Sequence, residues 1–566
     1  MDIKVSVIRE NHKYLLEAEE GENLLRLLAR NNIAISSSCG SRRSCGKCKV
    51  KVLEGNGGII ETERELLSSL ELAEGYRLAC CIDLFSDLKI ELLPEGEIQV
   101  LTGGLEQRID FNPWMRVFEM DEPEGENIYL LNYCNKSLKV ATEPVTGVYG
   151  LAVDIGTTTV AVYLINLLDG KEVDTASFHN PQKIHGADVI SRIHYAQEGR
   201  ENVNELRRLL LDKLNGEIIA LADRNGIKKE EIFQVTVVAN TTMSHLFVGV
   251  NPRSLARAPY RPVFTRGLEF TAEAAGLGIN PSGVVQLLPS VSAFIGSDIL
   301  ADLLLVDFDS DSWKLLIDIG TNGEVVLGNR ERLLSCSTAA GPAFEGANIS
   351  HGTASIPGAI SSFKILGDKS FEYGTIGSKA PLGICGSGLV DIIAEMLEHK
   401  ILTPTGLFSD DPGNGFSERF TYYNDIKAFV LVERGASSID RPILLSQKDV
   451  RELQLAKGAL AAGVNILLKE AGISSRELDT IYIAGGFGSF INIESARRIG
   501  LLPENTEADV VKLGNGAGLG ARSYLLDRSR EDRVEEIIEK MEFLELSMRS
   551  DFQEEFMSSM LFSGGK

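Results

Sequence analysis

The amino-acid sequence predicts a small α+β domain followed by a larger α/β domain of duplicated design, and three observations carry that expectation. Five of the eight cysteines fall between positions 39 and 81, among short apolar segments. The tetrapeptide Asp-Ile-Gly-Thr closes an apolar run twice, at Asp154 and again at Asp318. A third apolar run, at residues 481–484, enters the turn Gly485-Gly486-Phe487-Gly488.

At 566 residues the chain is too long for one hydrophobic core and should divide into three or four compact units. No run of eighteen apolar residues occurs, and the opening MDIKVSVIRE lacks the apolar stretch of a secretory signal. The expected location is the cytoplasm, without membrane insertion. A formal charge of -23 repels phosphate backbones and anionic lipid surfaces, which excludes nucleic acid and membranes as general partners. The stretch RRSCGKCKVK runs against that acidity. Arg42, Arg43, Lys47, Lys49 and Lys51 stand there with no acid among them, either as a solvated loop or as a means of steering an acidic partner.

Clustered cysteines in a cytosolic chain point to metal rather than to disulfides. Cys39, Cys45 and Cys48 are spaced C-x5-C-x2-C, and Cys80 follows 32 positions later in RLACC. A tight Gly/Ser loop of this kind can wrap a [2Fe-2S] cluster, turn N–H groups on its sulfides and supply three thiolates, while a distant segment supplies the fourth. A zinc ribbon normally shows two close pairs, and only Cys45 and Cys48 make one. Cys80 and Cys81 compete for the fourth position. In an extended segment successive side chains point to opposite sides, so one of the two faces the cluster. Residues 3–7 and 14–18 read as paired strands and 23–30 as a helix ahead of the loop. Cys134, Cys336 and Cys385 stand alone and are expected to be buried, inert thiols.

After residue 94 the periodicity breaks, and glycines and prolines punctuate the chain up to an apolar stretch at 128–131. Residues 96–148 are read as a linker with a small docking element, a tether that lets the N-terminal unit, residues 1–95, swing.

From Gly150 the sequence reads GLAVDIGTTTVAVYLINLLDG: a strand ending in Asp154, a turn with Gly156, Thr157, Thr158 and Thr159, and a second strand. KLLIDIGTNGEVVLGN repeats the design with Asp318, Gly320, Thr321, Asn322 and Gly323. Glycine lets the backbone approach a phosphate, N–H groups and hydroxyls donate to its oxygens, and strand-end carboxylates can hold Mg2+ through water. The glycine turn of Gly485, Gly486, Phe487 and Gly488 suits a flat base and ribose lying against main chain. Together the three turns predict a nucleotide site with Asp154 and Asp318 as its main carboxylates. Glu324 and Glu345 are candidate positioners of hydrolytic water, and residues 338–346, 383–388 and 514–518 are expected to line the same cleft.

The first 95 residues resemble the plant and adrenodoxin-type [2Fe-2S] ferredoxins, which implies an α+β ferredoxin-like (β-grasp) fold. That resemblance selects Cys80, directly after Leu78-Ala79, as the fourth ligand. Residues 149–530 resemble the acetate and sugar kinase, Hsp70 and actin (ASKHA) superfamily. This implies two lobes, the second beginning near residue 314, with ATP and Mg2+ between them and lobe closure as the mechanical output. An ASKHA core behind a [2Fe-2S] domain resembles the RACE family, the reductive activators of corrinoid-dependent enzymes. FHNPQKIHGADVISRI from Phe178, VVANTTMSHLFVG from Val237 and AAGPAFEGANISHG from Ala339 resemble it too. The family likeness implies ATP-dependent reduction of a corrinoid protein from Co(II) to Co(I), a low-potential electron donor such as a ferredoxin, and a homodimer.

The tail, residues 531–566, holds no cysteine for a further cluster and reads as a terminal amphipathic helix packing on the body. His179, His185, His245 and His351 lack the paired spacing of metal ligands and are read as structural. A dehydratase activator would bridge a cluster with cysteines inside the ASKHA core, where Cys336 and Cys385 are isolated. A small-molecule kinase would leave the iron-sulfur domain without a purpose. A nucleotide-gated electron carrier without a corrinoid partner is the remaining alternative.

Overall fold

The computed structural model describes residues 3–562 apart from 10–11, 32, 34, 36–42, 44–45, 56–57, 68, 93–110, 122–126, 144, 146, 368–369, 412–414 and 489. Arg42, Cys39 and Cys45 therefore lie outside the described residues.

Alternation builds the N-terminal domain. In the strand Ile3–Arg9, Ile3, Val5 and Val7 are buried and the residues between them are not, the period of a half-buried strand. Five strands form a mixed sheet in the order His12–Ala18, Ile3–Arg9, Leu88–Leu92, Lys49–Glu54, Tyr76–Leu78, with Ile3–Arg9 and Leu88–Leu92 parallel. Helix Leu24–Arg30 is capped by Asn23, whose side chain accepts from the Leu25 N–H, and lays Leu24, Leu25, Leu27 and Leu28 in the core. This is the expected β-grasp arrangement. Glu63 holds Arg77 through two hydrogen bonds, 2.8 and 2.6 Å, and accepts from the Leu78 N–H at 2.9 Å. That buried pair pins the strand leading into Cys80.

The stretch read as a linker contains a three-stranded antiparallel sheet, Met115–Asp121, Asn127–Tyr133 and Lys136–Ala141. This part is no free tether. Trp114 stacks on Tyr133 with ring centroids 5.9 Å apart and donates its indole N–H to the Tyr524 carbonyl at 2.8 Å. Met115, Leu131 and Tyr133 thereby join a core shared by the two large sheets. Cys134, expected to be buried, is exposed, because the turn after Tyr133 holds it at the surface with φ +50°.

The remainder folds twice in one pattern. The first sheet runs Glu172–His179, Thr159–Asn166, Tyr149–Ile155, Ile232–Ala239, Val284–Leu287, Leu268–Thr271. The second runs Met541–Phe543, Leu333–Thr338, Gly323–Gly328, Trp313–Ile319, Leu478–Ala484, Asp509–Gly514. In each sheet three strands form an antiparallel meander, and two more lie parallel to the first strand of that meander. Strands covered on both faces read as continuous apolar runs, and all of Ile232–Ala239 is buried. Helices Arg200–Arg224 and Gln447–Ala471 pack into the cores of the first and second lobes respectively.

The tail is not one helix. Helix Arg530–Lys540 gives way to Met541–Phe543, which joins the edge of the second sheet, and Glu542 there pairs with Arg332 through two 3.0 Å bonds. Helix Phe552–Ser559 then packs beside Gln447–Ala471. Among the described residues no helix is long and apolar enough to cross a membrane.

Candidate functional site

The two Asp-Ile-Gly-Thr turns meet between the lobes. The hydroxyl oxygens of Thr158 and Thr321 lie 3.4 Å apart, and both hydroxyls donate to Glu345, at 3.0 and 2.7 Å. Glu345 belongs to the short turn Pro342–Glu345, so a segment of the second lobe bridges both loops.

The first loop is tied from behind. Gly156 O accepts from the Asn180 side-chain amide at 2.9 Å, Thr158 O from the Asn180 backbone N–H at 2.9 Å and Thr157 O from Arg192 at 2.5 Å. Asn240 donates to the Thr157 hydroxyl at 3.0 Å from the N-cap of helix Thr241–Val248. The second loop closes on itself, Gly320 N–H to Asn322 O at 3.0 Å. Gly485 sits at φ +89°, and a Cβ there would fall 2.5 Å from Ile319 O and 2.6 Å from Asp318 Oδ1. Only glycine lets that third turn lie on the second loop. Gly488 N–H closes the turn on Gly485 O at 3.0 Å. Phe487 packs on Phe344, ring centroids 4.8 Å apart, and so braces the 338–346 segment.

Asp154 and Asp318 stand near the ends of the equivalent strands of the two sheets, and the fold adds two carboxylates that local sequence reading missed. Asp298 and Asp302 stand one turn apart on helix Ser297–Leu303, and their only legible trace is that i, i+4 pair of acids in an otherwise apolar segment. Burial raises Asp154 to about 8, and the charges of Asp298 and Asp318 push the same way. Burial, with Asp298, lifts Asp318 to about 7, and burial holds Asp302 and Glu324 well above the ordinary carboxylate range. Asp302 is fully buried with neither oxygen hydrogen-bonded. Glu324 accepts from Ser337 at 3.2 Å. Repulsion within such a group is relieved by protons or by a cation. Among the described residues no three His, Cys, Asp or Glu side chains converge as a direct ligand set.

In the N-terminal domain Cys48 and Cys80 are buried side by side, and the Cys80 N–H donates to Cys48 Sγ at 3.5 Å. Buried, paired sulfurs with an N–H aimed at one of them fit an iron-sulfur ligand set. Ala79–Cys81 is a 3-10 turn, not an extended segment. The Cys80 and Cys81 sulfurs therefore lie 3.8 Å apart rather than on opposite sides of the chain. The basic stretch beside them is engaged internally. Arg43 donates to Cys80 O at 3.1 Å, Lys47 to Ile349 O at 3.2 Å, and Lys49 pairs with Glu71 at 2.6 Å. Glu71 also pairs with Arg441 at 3.2 Å, so the cluster loop faces the second lobe. His185 stacks on Tyr195 and bonds Glu205, whereas His245 bonds Thr241 O and accepts from Val263 N–H. Cys336 and Cys385 are buried in the second lobe.

Comparison with known proteins identifies the family. Residues 8–84 match the family model for a 2Fe-2S iron-sulfur cluster binding domain, 149–311 the RACo middle region, and 312–565 the C-terminal domain of RACo, the ASKHA domain. The corrinoid activation enzyme RamQ of Eubacterium limosum is 33% identical over 556 residues, 93% of each chain. The chain belongs to the RACo family of reductive activators. A Methanosarcina barkeri relative within reach of this family likeness, the [Co(II) methylated amine-specific corrinoid protein] reductase, is 27% identical over 425 residues, 69% of this chain and 73% of that one. The solved structure of a reductive activator for corrinoid, iron-sulfur protein superposes with a TM-score of 0.74 at 32% identity, covering 99% of this chain and 98% of that one.

Proposed function

We propose that this RACo-family protein reductively activates a corrinoid protein, returning its cobalt from Co(II) to Co(I) by one-electron reduction coupled to ATP. The relatives named for corrinoid activation and Co(II) corrinoid protein reduction support the chemistry. One observation carries the coupling. Glu345 touches both phosphate loops, and four residues on the Ile349 carbonyl accepts from Lys47, the neighbour of Cys48. Ser350, the residue after Ile349, anchors the far end of that segment, its N–H and hydroxyl bonding Asp449 at 2.7 and 2.9 Å.

Cys39, Cys45, Cys48 and Cys80 hold the [2Fe-2S] cluster, which when bound supplies a one-electron carrier near about -400 mV for plant-type centres. Gly156, Thr157, Thr158 and Thr159 with Gly320, Thr321 and Asn322 bind the ATP phosphates. Gly485, Gly486 and Gly488 lie under the nucleoside, with Phe487 bracing them. Asp154 and Asp318 hold hydrated Mg2+, and Glu324 positions water. A low-potential protein such as a ferredoxin serves as donor, and the protein works as a cytoplasmic homodimer. Co(I) is the stronger reductant, so the transfer is uphill, and ATP helps only by binding two conformations unequally. Phosphate entering between Thr158 and Thr321 displaces Glu345, and the 345–351 segment carries that movement to Lys47.

The test mixes reduced protein, a Co(II) corrinoid protein and ATP without oxygen and follows the Co(I) absorbance. Co(I) should form with ATP and not without it, and should be lost in Asp154→Ala and Asp318→Ala. Lys47→Ala should keep ATP hydrolysis while losing ATP-dependent reduction. Equal reduction in the absence of ATP would overturn the coupling.

A further inference from the structure

Arg192, on helix Val189–Gln197, is fully buried. Its guanidinium donates to Thr157 O at 2.5 Å, Gly186 O at 2.9 Å, Gln182 Oε1 at 3.2 Å and Met243 Sδ at 3.2 Å. All four are neutral acceptors. The acid that favours its charge, Asp188, directs its carboxylate to the N–H and hydroxyl of Ser191. A buried cation without a carboxylate against it is a costly thing for a fold to keep. Burial indeed lowers this guanidinium to about 9.

The peptide geometry shows where the missing negative charge belongs. The Gly156 and Thr157 carbonyls are turned back to Asn180 and Arg192. A trans peptide sets its N–H opposite its carbonyl, so the N–H groups of Thr157 and Thr158 point away from those partners. Donors therefore line one side of the turn and a buried positive charge lies directly behind it, the arrangement that an anion completes.

We propose that Arg192 is the positioning residue of the first phosphate loop, fixing the Thr157 carbonyl from behind and supplying a buried positive charge that nucleotide phosphates complete. This rests on reading the Asp154 turn as a phosphate loop.

The experiment measures binding of ATP, ADP and adenosine by calorimetry to the full chain and to Arg192→Met, Arg192→Lys and Gln182→Glu. The unaltered protein must bind ATP, and its failure to do so would overturn the phosphate-loop reading itself. Given that binding, Arg192→Met should weaken ATP on the order of tenfold or more, ADP less, and adenosine not at all. Arg192→Lys should recover the charge-graded part of the loss. Gln182→Glu sets a carboxylate against the guanidinium in a side chain of the same shape, and should weaken ATP more than adenosine although it gives up the 3.0 Å bond to Leu206 O. That variant decides the matter if Arg192→Met does not fold. Losses equal across the three ligands, or absent in folded variants, would reduce Arg192 to a packing role and overturn the proposal.

Discussion

The two lobes lay down the same five-strand order, yet they secure their Asp-Ile-Gly-Thr turns by opposite means. In the first lobe side chains do it: Asn180, Arg192 and Asn240 reach from separate segments to Gly156, Thr157 and, through backbone, Thr158. In the second lobe the lack of side chains does it. Gly323 leaves room for Leu460, which a Cβ would meet at 2.2 Å, and Gly485 lets the third turn lie on Ile319. A shared topology thus fixes where a loop sits without fixing what holds it. Polar ties can be loosened one at a time, whereas a close backbone approach is kept or lost as a whole.

The largest expected effect falls on what the lobes share. Asp154→Asn and Asp318→Asn each remove one cleft carboxylate that could hold hydrated Mg2+, and each should lower ATP hydrolysis and ATP-dependent Co(I) formation about 10²- to 10³-fold in kcat, with the cluster absorbance unchanged. A loss confined to one variant would break the equivalence of the two turns. Next comes the contrast in how the loops are held. Gly485→Ala puts a Cβ into a left-handed backbone against Ile319 O and should cost about 2–4 kcal/mol. Asn180→Ala removes the bonds to Gly156 O and Gln182 N–H and should cost about 1–2 kcal/mol. Thermal midpoints of the two variants rank them, and the reverse order would sink the contrast.

Local pattern explains what was legible in the sequence. The three turns announce themselves because each needs only an apolar run, a carboxylate or glycine at its end and a polar turn, all within about a dozen residues. Arg192, Asp298, Asp302 and the bridging contacts of Glu345 reach the cleft from distant parts of the chain, and neighbours in sequence say nothing of that meeting. The sheet of residues 115–141 escaped notice for another reason. Phe118, Leu130 and Val140 stand opposite one another on one face while Met115, Leu131 and Tyr133 enter the core, so its strands are apolar on both faces and lack a clean alternation. The expectation that Cys80 and Cys81 face opposite sides rests on an extended backbone, which the chain replaces with a 3-10 turn.

The cleft carboxylates also make stability depend on pH in a direction unusual for acids. Asp154 and Asp318 ionise near 3.8 when free of their surroundings, and the fold raises them to about 8 and about 7. Across that window the folded chain holds protons that the unfolded chain has released, so stability is fully present below the unfolded value and is lost as pH rises towards the folded ones. The thermal midpoint of the ligand-free protein should fall between about pH 5 and about pH 8. Mg2+ with ATP should reduce the fall, and Asp154→Asn should flatten it. A midpoint that climbs over that range would show that the acids are not held protonated in the cleft.

The smallest effect sharpens the comparison most, because Glu345 touches both loops. Its carboxylate accepts from Thr158 and Thr321 at the place where the lobes meet, with burial raising its pKa and the two hydroxyls opposing that shift. Glu345→Gln keeps the shape and one acceptor but removes the charge that opposes an incoming phosphate. Nucleotide should then bind about two- to fivefold more tightly, a change that follows from removing one like charge in a partly screened site. ATP dependence of Co(I) formation should weaken at the same time, since less is gained by expelling a neutral bridge. If binding weakens instead, Glu345 acts like the side-chain ties of the first lobe, supporting the loops rather than being displaced from between them, and the movement towards Lys47 must start elsewhere in the cleft.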